Sequence, residues 1–288
     1  MAKTMAKTES LSPKRASYNG PIIELQDVNV TFKTRTGSIF KPNRVHAVQG
    51  VDMKLMPGKV LGLVGESGSG KSTTANVMCG LQAATSGKVF FRGEEVTKRS
   101  AADRRKIGRV VSVVFQDPAT ALNARMAVRD QLMDPLHVHK IGTRAERIAR
   151  VEDLIQKVGL PHSALDALPG QLSGGQRQRV AIARALSLSP DAIIADEPTS
   201  ALDVSVRAQI LNLLMDLKNE LGLAMVFISH DIQTVRYISD TIAVMNSGKV
   251  VEQGPAKELL ENPKHPYTQT LLGAAPSLLH PDLGTSKA

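Results

Sequence analysis

The chain has 288 residues, 42% of them hydrophobic and 22% charged, which suits one large or two modest globular domains and excludes a fully disordered or fibrous protein. No run approaches the ~18 consecutive apolar residues of a membrane span, and the polar first twenty residues lack the apolar centre of a secretory signal. The formal charge of +9 is scattered and aromatics are only 3%, which argues against a nucleic-acid surface built on interleaved stacking rings.

A solvated basic surface, or one facing anionic lipid heads or nucleotide, accounts for the same charge. The single cysteine, Cys79, excludes an intramolecular disulfide and suits a reducing cytosol. Residues 1–20 read as a mobile tail, and the MAKT doubling at its start is the only internal repeat.

The stretches 22–32 (IIELQDVNVTF) and 45–56 (VHAVQGVDMKLM) alternate apolar with polar residues and predict half-buried strands forming an antiparallel edge. Short continuous apolar runs follow at 59–64, 109–115, 191–196, 224–229 and 241–245. Such runs, alternating with helical stretches, predict a parallel sheet covered on both faces. Between Thr120 and Gly170 the strand signal disappears, and Ile148, Val151, Leu154, Ile155 and Val158 recur at helical spacing. The fold expected is therefore α/β, with a mixed sheet, an antiparallel β edge and a helical subdomain inserted at about 119–170.

After Asp203, the residues Val206, Ile210, Leu213, Leu214, Leu217 and Leu221 share one helical stripe, for which core packing suffices. The stretch 245–254 (MNSGKVVEQG) reads as a hairpin turning at Asn246–Gly248. Prolines on both sides of His265 forbid a regular helix through Asn262–Pro266, so a last helix is expected to begin near Tyr267.

Residues Gly65, Glu66, Ser67, Gly68, Ser69, Gly70, Lys71 and Ser72 fit G-x-x-x-x-G-K-[ST] directly after an apolar strand. Glycine leaves successive amides free to turn toward phosphate oxygens, and the following helix aims its positive dipole end at the same anions. Lys71 would reach the β and γ phosphates of a nucleoside triphosphate, and the Ser72 hydroxyl would ligate Mg²⁺. A second apolar strand ends at Asp196 and Glu197. Alone, these carboxylates are as easily ordinary surface residues; beside the phosphate loop, Asp196 suits the Mg²⁺ shell and Glu197 is placed to polarise an attacking water. Ser173, Gly174 and Gly175 precede a helix rich in alanine and arginine, again a bare helix start suited to an anion.

Taken together, the phosphate loop 65–72, Gln116 in VVFQDP, the signature Leu172–Gln176, the acidic strand 191–197, SALD (200–203) and His230 in ISHD resemble, in family order, the ATP-binding ATPase subunit of an ABC transporter. The resemblance covers roughly residues 22–275, with residues 21–258 as the ATPase cassette itself, and implies a P-loop NTPase core that hydrolyses ATP with Mg²⁺. It implies a head-to-tail dimer in which one chain's phosphate loop, extending to Thr73, and the other's signature (Ser173, Gly174, Gly175, Gln176) and D-loop (Ser200, Ala201, Leu202, Asp203) enclose each ATP. By the same resemblance Phe32 would stack on adenine, although a core phenylalanine is the plain alternative, and the family more often has tyrosine or tryptophan there. Gln116 would touch Mg²⁺ and the water, and His230 the γ-phosphate and Glu197.

The stretch 261–278 (ENPKHPYTQTLLGAAPSL), within a C-terminal region 259–288, resembles the tail of ATPases serving dipeptide, oligopeptide and nickel importers. FQDP at 115–118 fits the same group, with Ala124 where a proline is common. Many of its members carry an iron–sulfur cysteine cluster beyond this helix; this sequence has no cysteine there. The resemblance implies a sister ATPase as dimer partner, two permeases, an extracytoplasmic solute-binding protein and a peripheral place on the cytoplasmic face of the membrane. With Ser173, Glu197 and His230 all present, the chain is expected to contribute competent halves to both ATP sites. Soluble cassette ATPases acting on nucleic acid or ribosomes, and exporter ATPases, are the alternatives; one cassette, no sustained heptads and a single cysteine argue against the first, and the HPYT segment argues against the second.

Overall fold

The computed structural model describes residues 18–34, 43–96 and 100–273. All but the end of the expected tail 1–20, and the last part of the C-terminal region, lie outside the described residues.

Two sheets organise the molecule. The first is antiparallel, with β1 (Ile23–Thr34), β2 (Asn43–Leu55), β4 (Ser86–Phe91) and β5 (Glu94–Glu95) in the order β2-β1-β4-β5. Ile23 and Leu25 face the core, then Val28 and Val30 do, because a register shift between Leu25 and Val28 resets the alternation by one residue. The antiparallel strands expected at a sheet edge thus form a sheet of their own, joined by β4 and β5, whose strand signal is weak in the sequence.

The second sheet has six strands: β3 (Val60–Val64), β6 (Val111–Val114), β7 (Ala192–Asp196), β8 (Ala224–Ile228), β9 (Thr241–Asn246) and β10 (Lys249–Pro255), ordered β10-β9-β3-β8-β7-β6. Neighbours from β9 to β6 run parallel, and β10 returns antiparallel along β9. Their continuous apolar runs are divided between two cores. Val60, Ile193, Met225, Phe227, Ile242 and Val244 face the helices, whereas Leu61, Leu63, Ile194, Val226, Ala243 and Met245 face the antiparallel sheet. Both faces of the central strands are therefore dry, which is why their sequence does not alternate.

The apolar run 109–115 is only partly a strand. Ser100 and Asp103 form a capping box that starts α2 (Ala101–Val110), so Arg109 and Val110 finish a helix and β6 begins at Val111. Phe115 lies beyond the strand and is exposed.

The inserted helical region contains α3 (Pro118–Ala121), α4 (Val128–Val138), α5 (Arg144–Lys157) and two short 3-10 turns. A Thr143–Glu146 capping box starts α5, and Val151, Leu154, Ile155 and Val158 are buried as their spacing predicts, with Ile148 half-buried. The remaining helices are α1 (Lys71–Met78), α6 (Gly174–Leu186), α7 (Val204–Leu221), α8 (Ile232–Ile238), α9 (Ala256–Glu261) and α10 (Pro266–Gly273). Helix α8 lies so close on β3 that a Cβ at Gly62 would stand 2.4 Å from Val235 Cγ1. The β9–β10 turn sits at Ser247 and Gly248, both with positive φ, as the hairpin reading requires.

Candidate nucleotide site

Parallel strands gather functional loops at their carboxyl ends, and this sheet brings four together. The phosphate loop leaves β3, Gln116 lies just past β6, Asp196 and Glu197 end β7, and His230 follows β8. Ser67, Gly68, Gly70, Lys71, Ser72, Thr73, Gln116, Glu197 and His230 line one cavity of about 670 Å³, within the roughly 300–1,000 Å³ of small-molecule sites.

Gly68 and Gly70 have φ of 79° and 105°, a region costly for other residues. A Cβ at Gly70 would stand 2.5 Å from the Ala47 carbonyl, whereas one at Gly68 would meet nothing, so the loop is pressed against β2 on one side and open on the other. Gly70 also caps α1, and Lys71 begins that helix with its backbone amides directed at the cavity end. Lys71 is buried, and its ammonium donates to the carbonyls of Gly65 (2.7 Å) and Glu66 (2.8 Å). Burial lowers its pKa, opposed by the charges of Glu197, Asp196 and Glu66. An anionic ligand would relieve that penalty.

Glu197 occupies a left-handed conformation (φ 45°) that is uncommon for a carboxylate residue, held by its amide on Ile228 O and its carbonyl under Ser200. This turn directs the side chain into the cavity, where one oxygen lies 3.2 Å from His230 Nδ1 and the other accepts from Gln116 Nε2 at 3.4 Å. Asp196 sits deeper. Burial raises its carboxyl, as does neighbouring Glu197, while the Ser72 hydroxyl and Lys71 pull the other way. Ser72, Asp196 and Gln116 offer only oxygen donors of the kind hard divalent cations take, so they fit Mg²⁺ completed by phosphate and water. Among the described residues no three His, Cys, Asp or Glu side chains form a metal cluster.

Phe32 is not in the wall of this cavity. It is 40% exposed, which removes the core alternative, and it pairs with Val45, which does line the cavity. The sequence reading missed Val45, His46, Ala47, Gln49, Ser247 and Gly248 in the lining. Gln49 Nε2 donates to Ser247 O, and the Gly248 amide donates to Ser69 O, so the β9–β10 turn braces the phosphate loop. No local signal marks these residues; only the hairpin was legible.

The signature lies elsewhere. Ser173 caps α6 in a reciprocal box with Gln176, the Ser173 amide donating to Gln176 Oε1 at 2.9 Å. Ser173, Gly174, Gly175 and Gln176 line a separate cleft of about 280 Å³ with Ala201, Leu202 and Asp203. The two linings share no residue. Ser200 stands between them in the chain, bonded to Glu197.

The family profile for "ABC transporter" matches residues 48–200, and that for "Oligopeptide/dipeptide transporter, C-terminal region" matches residues 251–287. The oligopeptide transport ATP-binding protein AppF of Bacillus subtilis is 46% identical over 263 residues, which are 91% of this chain and 80% of AppF. The glutathione import ATP-binding protein GsiA of Salmonella paratyphi A is 45% identical over 89% of this chain, which spans only 41% of GsiA. Among solved structures, the post-hydrolysis dimer of the ATP-binding cassette MJ0796 bound to ADP and Pi matches with TM-score 0.72 and 31% identity, covering 81% of this chain and 98% of that one. CbiO1 of Clostridium perfringens matches with TM-score 0.73 and 29% identity, over 84% and 92% of the two chains. No helix among the described residues is long and apolar enough to cross a membrane. The chain belongs to the ABC transporter family, as an ATP-binding and ATP-hydrolysing import subunit of the oligopeptide and dipeptide group.

Proposed function

We propose that this chain pairs head-to-tail with a second cassette, a sister chain, so that each ATP lies between one phosphate loop and the opposite signature. The observation that carries this reading is the division of the motifs between two clefts with no residue in common. Each cleft holds half of the expected contacts, and a partner's cleft would complete it.

Within such a site Lys71 exchanges its carbonyl partners for phosphate oxygens, while the bare amides around Gly68 bind the same group. Thr73 extends this cradle on the cavity wall, and Phe32, paired with Val45 on that wall, would stack on the adenine. Glu197 takes a proton from the attacking water, and His230 and Gln116 fix its two oxygens for that task. Ser72, Asp196 and Gln116 would hold Mg²⁺, which when bound neutralises developing charge on the phosphates. Closure of the dimer on ATP and its reopening after hydrolysis would move two permeases fed by an extracytoplasmic binding protein. The chain would sit peripherally on the cytoplasmic face, and the HPYT region together with AppF and GsiA supports peptides or a related solute as cargo.

The reading is tested by Ser173→Arg in the complete import complex. Turnover is expected to collapse while this chain's own phosphate loop binds ATP as before. Undiminished turnover, or loss of ATP from the same chain, would overturn the shared site.

A further inference from the structure

The C-terminal HPYT segment ends on the phosphate loop: the Glu66 backbone amide donates to Tyr267 Oη at 3.1 Å, across 201 residues of sequence. Glu66 is thereby held at both of its backbone groups, since its carbonyl accepts from Lys71 Nζ at 2.8 Å and from the Ser69 amide at 3.2 Å.

Tyr267 is itself firmly placed. Its amide donates to His265 Nδ1 at 3.1 Å, and its ring packs, half-buried, against the core on the helical side of the sheet. The amides of Lys264 and His265 donate to the two carboxylate oxygens of Glu252 at 2.8 and 3.0 Å. Glu252 pairs with Val244 on β9, and Val244 pairs with Val64, the residue immediately before Gly65. The anchor and the loop it serves are thus in register across three adjacent strands. Pro263 and Pro266 restrict the connecting backbone, and Gln269 Nε2 closes it by donating to Pro263 O at 2.9 Å.

We propose that Tyr267 is a positioning residue for the phosphate loop, its phenol oxygen fixing the Glu66 amide so that the loop is already in its ATP-receiving shape before nucleotide arrives. When Lys71 leaves the Gly65 and Glu66 carbonyls for phosphate, the amide side of Glu66 stays tied to Tyr267. The junction between β3 and the loop does not slacken at that moment. The ordering cost is met in the folded chain rather than on binding. The inference rests on the reading above that ATP occupies this cradle. It assigns a task to a segment that the proposed hydrolysis does not otherwise use.

Tyr267→Phe removes the acceptor oxygen and keeps the ring. In the assembled importer, KM for ATP should rise about two- to tenfold, the span of one hydrogen bond, with kcat unchanged. ATP binding to the full chain should weaken by the same factor, and hydrogen exchange at the Glu66 amide should quicken. Glu252→Ala, which loosens the anchor, should act in the same direction, and the double variant should be no weaker than the worse single one. A fall in melting temperature with KM, ATP affinity and Glu66 exchange all unchanged would make Tyr267 merely structural and overturn the proposal, as would tighter ATP binding by Tyr267→Phe. Failure of the unaltered chain to bind ATP would instead overturn the ATP reading itself, and with it the inference.

Discussion

His230 Nδ1 lies 3.2 Å from a carboxylate oxygen of Glu197, so an exposed imidazole is coupled to a carboxylate that its own strained backbone turns into the cavity. The pair divides two tasks between two residues. On the proposed reading Glu197 would supply the proton-accepting oxygen, and His230 would fix where that oxygen points. Glu197→Gln should retain ATP binding and lose about 10²–10⁴ in turnover, the usual contribution of a positioned base. His230→Ala should lose less, because Gln116 still holds the other oxygen. Phosphate release and nucleotide binding by the complete complex check both, and full turnover by Glu197→Gln would remove its role.

Lys71 carries a second expectation. Its ammonium is buried among carbonyls, and burial disfavours its charge. Lys71→Met, which keeps the volume, should weaken ATP binding by about 10- to 100-fold through loss of a charge-assisted bond. Thermal unfolding without nucleotide should not fall in parallel. Equilibrium binding and calorimetry on the same preparations separate the two effects.

Gly175 tests how the signature helix is seated. A Cβ there would stand 2.7 Å from Val206 Cγ1, so α6 and α7 meet at a distance only glycine permits. Gly175→Ala should cost about 1–3 kcal/mol by overpacking, read from denaturant midpoints. Val206→Ala in the same chain should restore part of it. Equal stability of Gly175→Ala and the unaltered chain would show that α7 yields freely.

The Glu252 anchor predicts a pH dependence. Burial raises its carboxyl, but the Thr268 hydroxyl, the Lys264 and His265 amides and the His265 charge outweigh that and hold it below the ordinary 4.5. A carboxylate whose folded pKa lies below its unfolded one favours the folded state fully above the unfolded value, and that contribution is lost as pH falls through the folded value. The segment Glu261–Gly273 should therefore gain hydrogen exchange as pH drops below about 4.5. In Glu252→Gln that step should be absent, and an identical step in both would exclude Glu252 as its source.

Much of this site is legible in the sequence because its chemistry uses consecutive backbone. A phosphate loop is one short run in which Gly68, Gly70 and Lys71 must follow in order, and the capped start at Ser173–Gln176 is equally local. The carboxylates Asp196 and Glu197 are marked by the buried strand before them. Less visible were β4 and β5, whose exposed faces weaken the apolar signal, and the start of β6, where helix α2 takes Arg109 and Val110 from an unbroken apolar run.

The sequence by itself determined the parallel core, the inserted helices, the phosphate loop and the acidic strand end, since each depends on residues adjacent in the chain or repeated at a fixed period. Only the tertiary structure decided that Ser247 and Gly248 brace the loop, that Val45 rather than Phe32 lines the cavity, and that Tyr267 reaches the Glu66 amide. Those contacts arise from strand order and register. A hydrogen bond between residues 201 positions apart leaves no period or neighbour pattern in the chain that makes it.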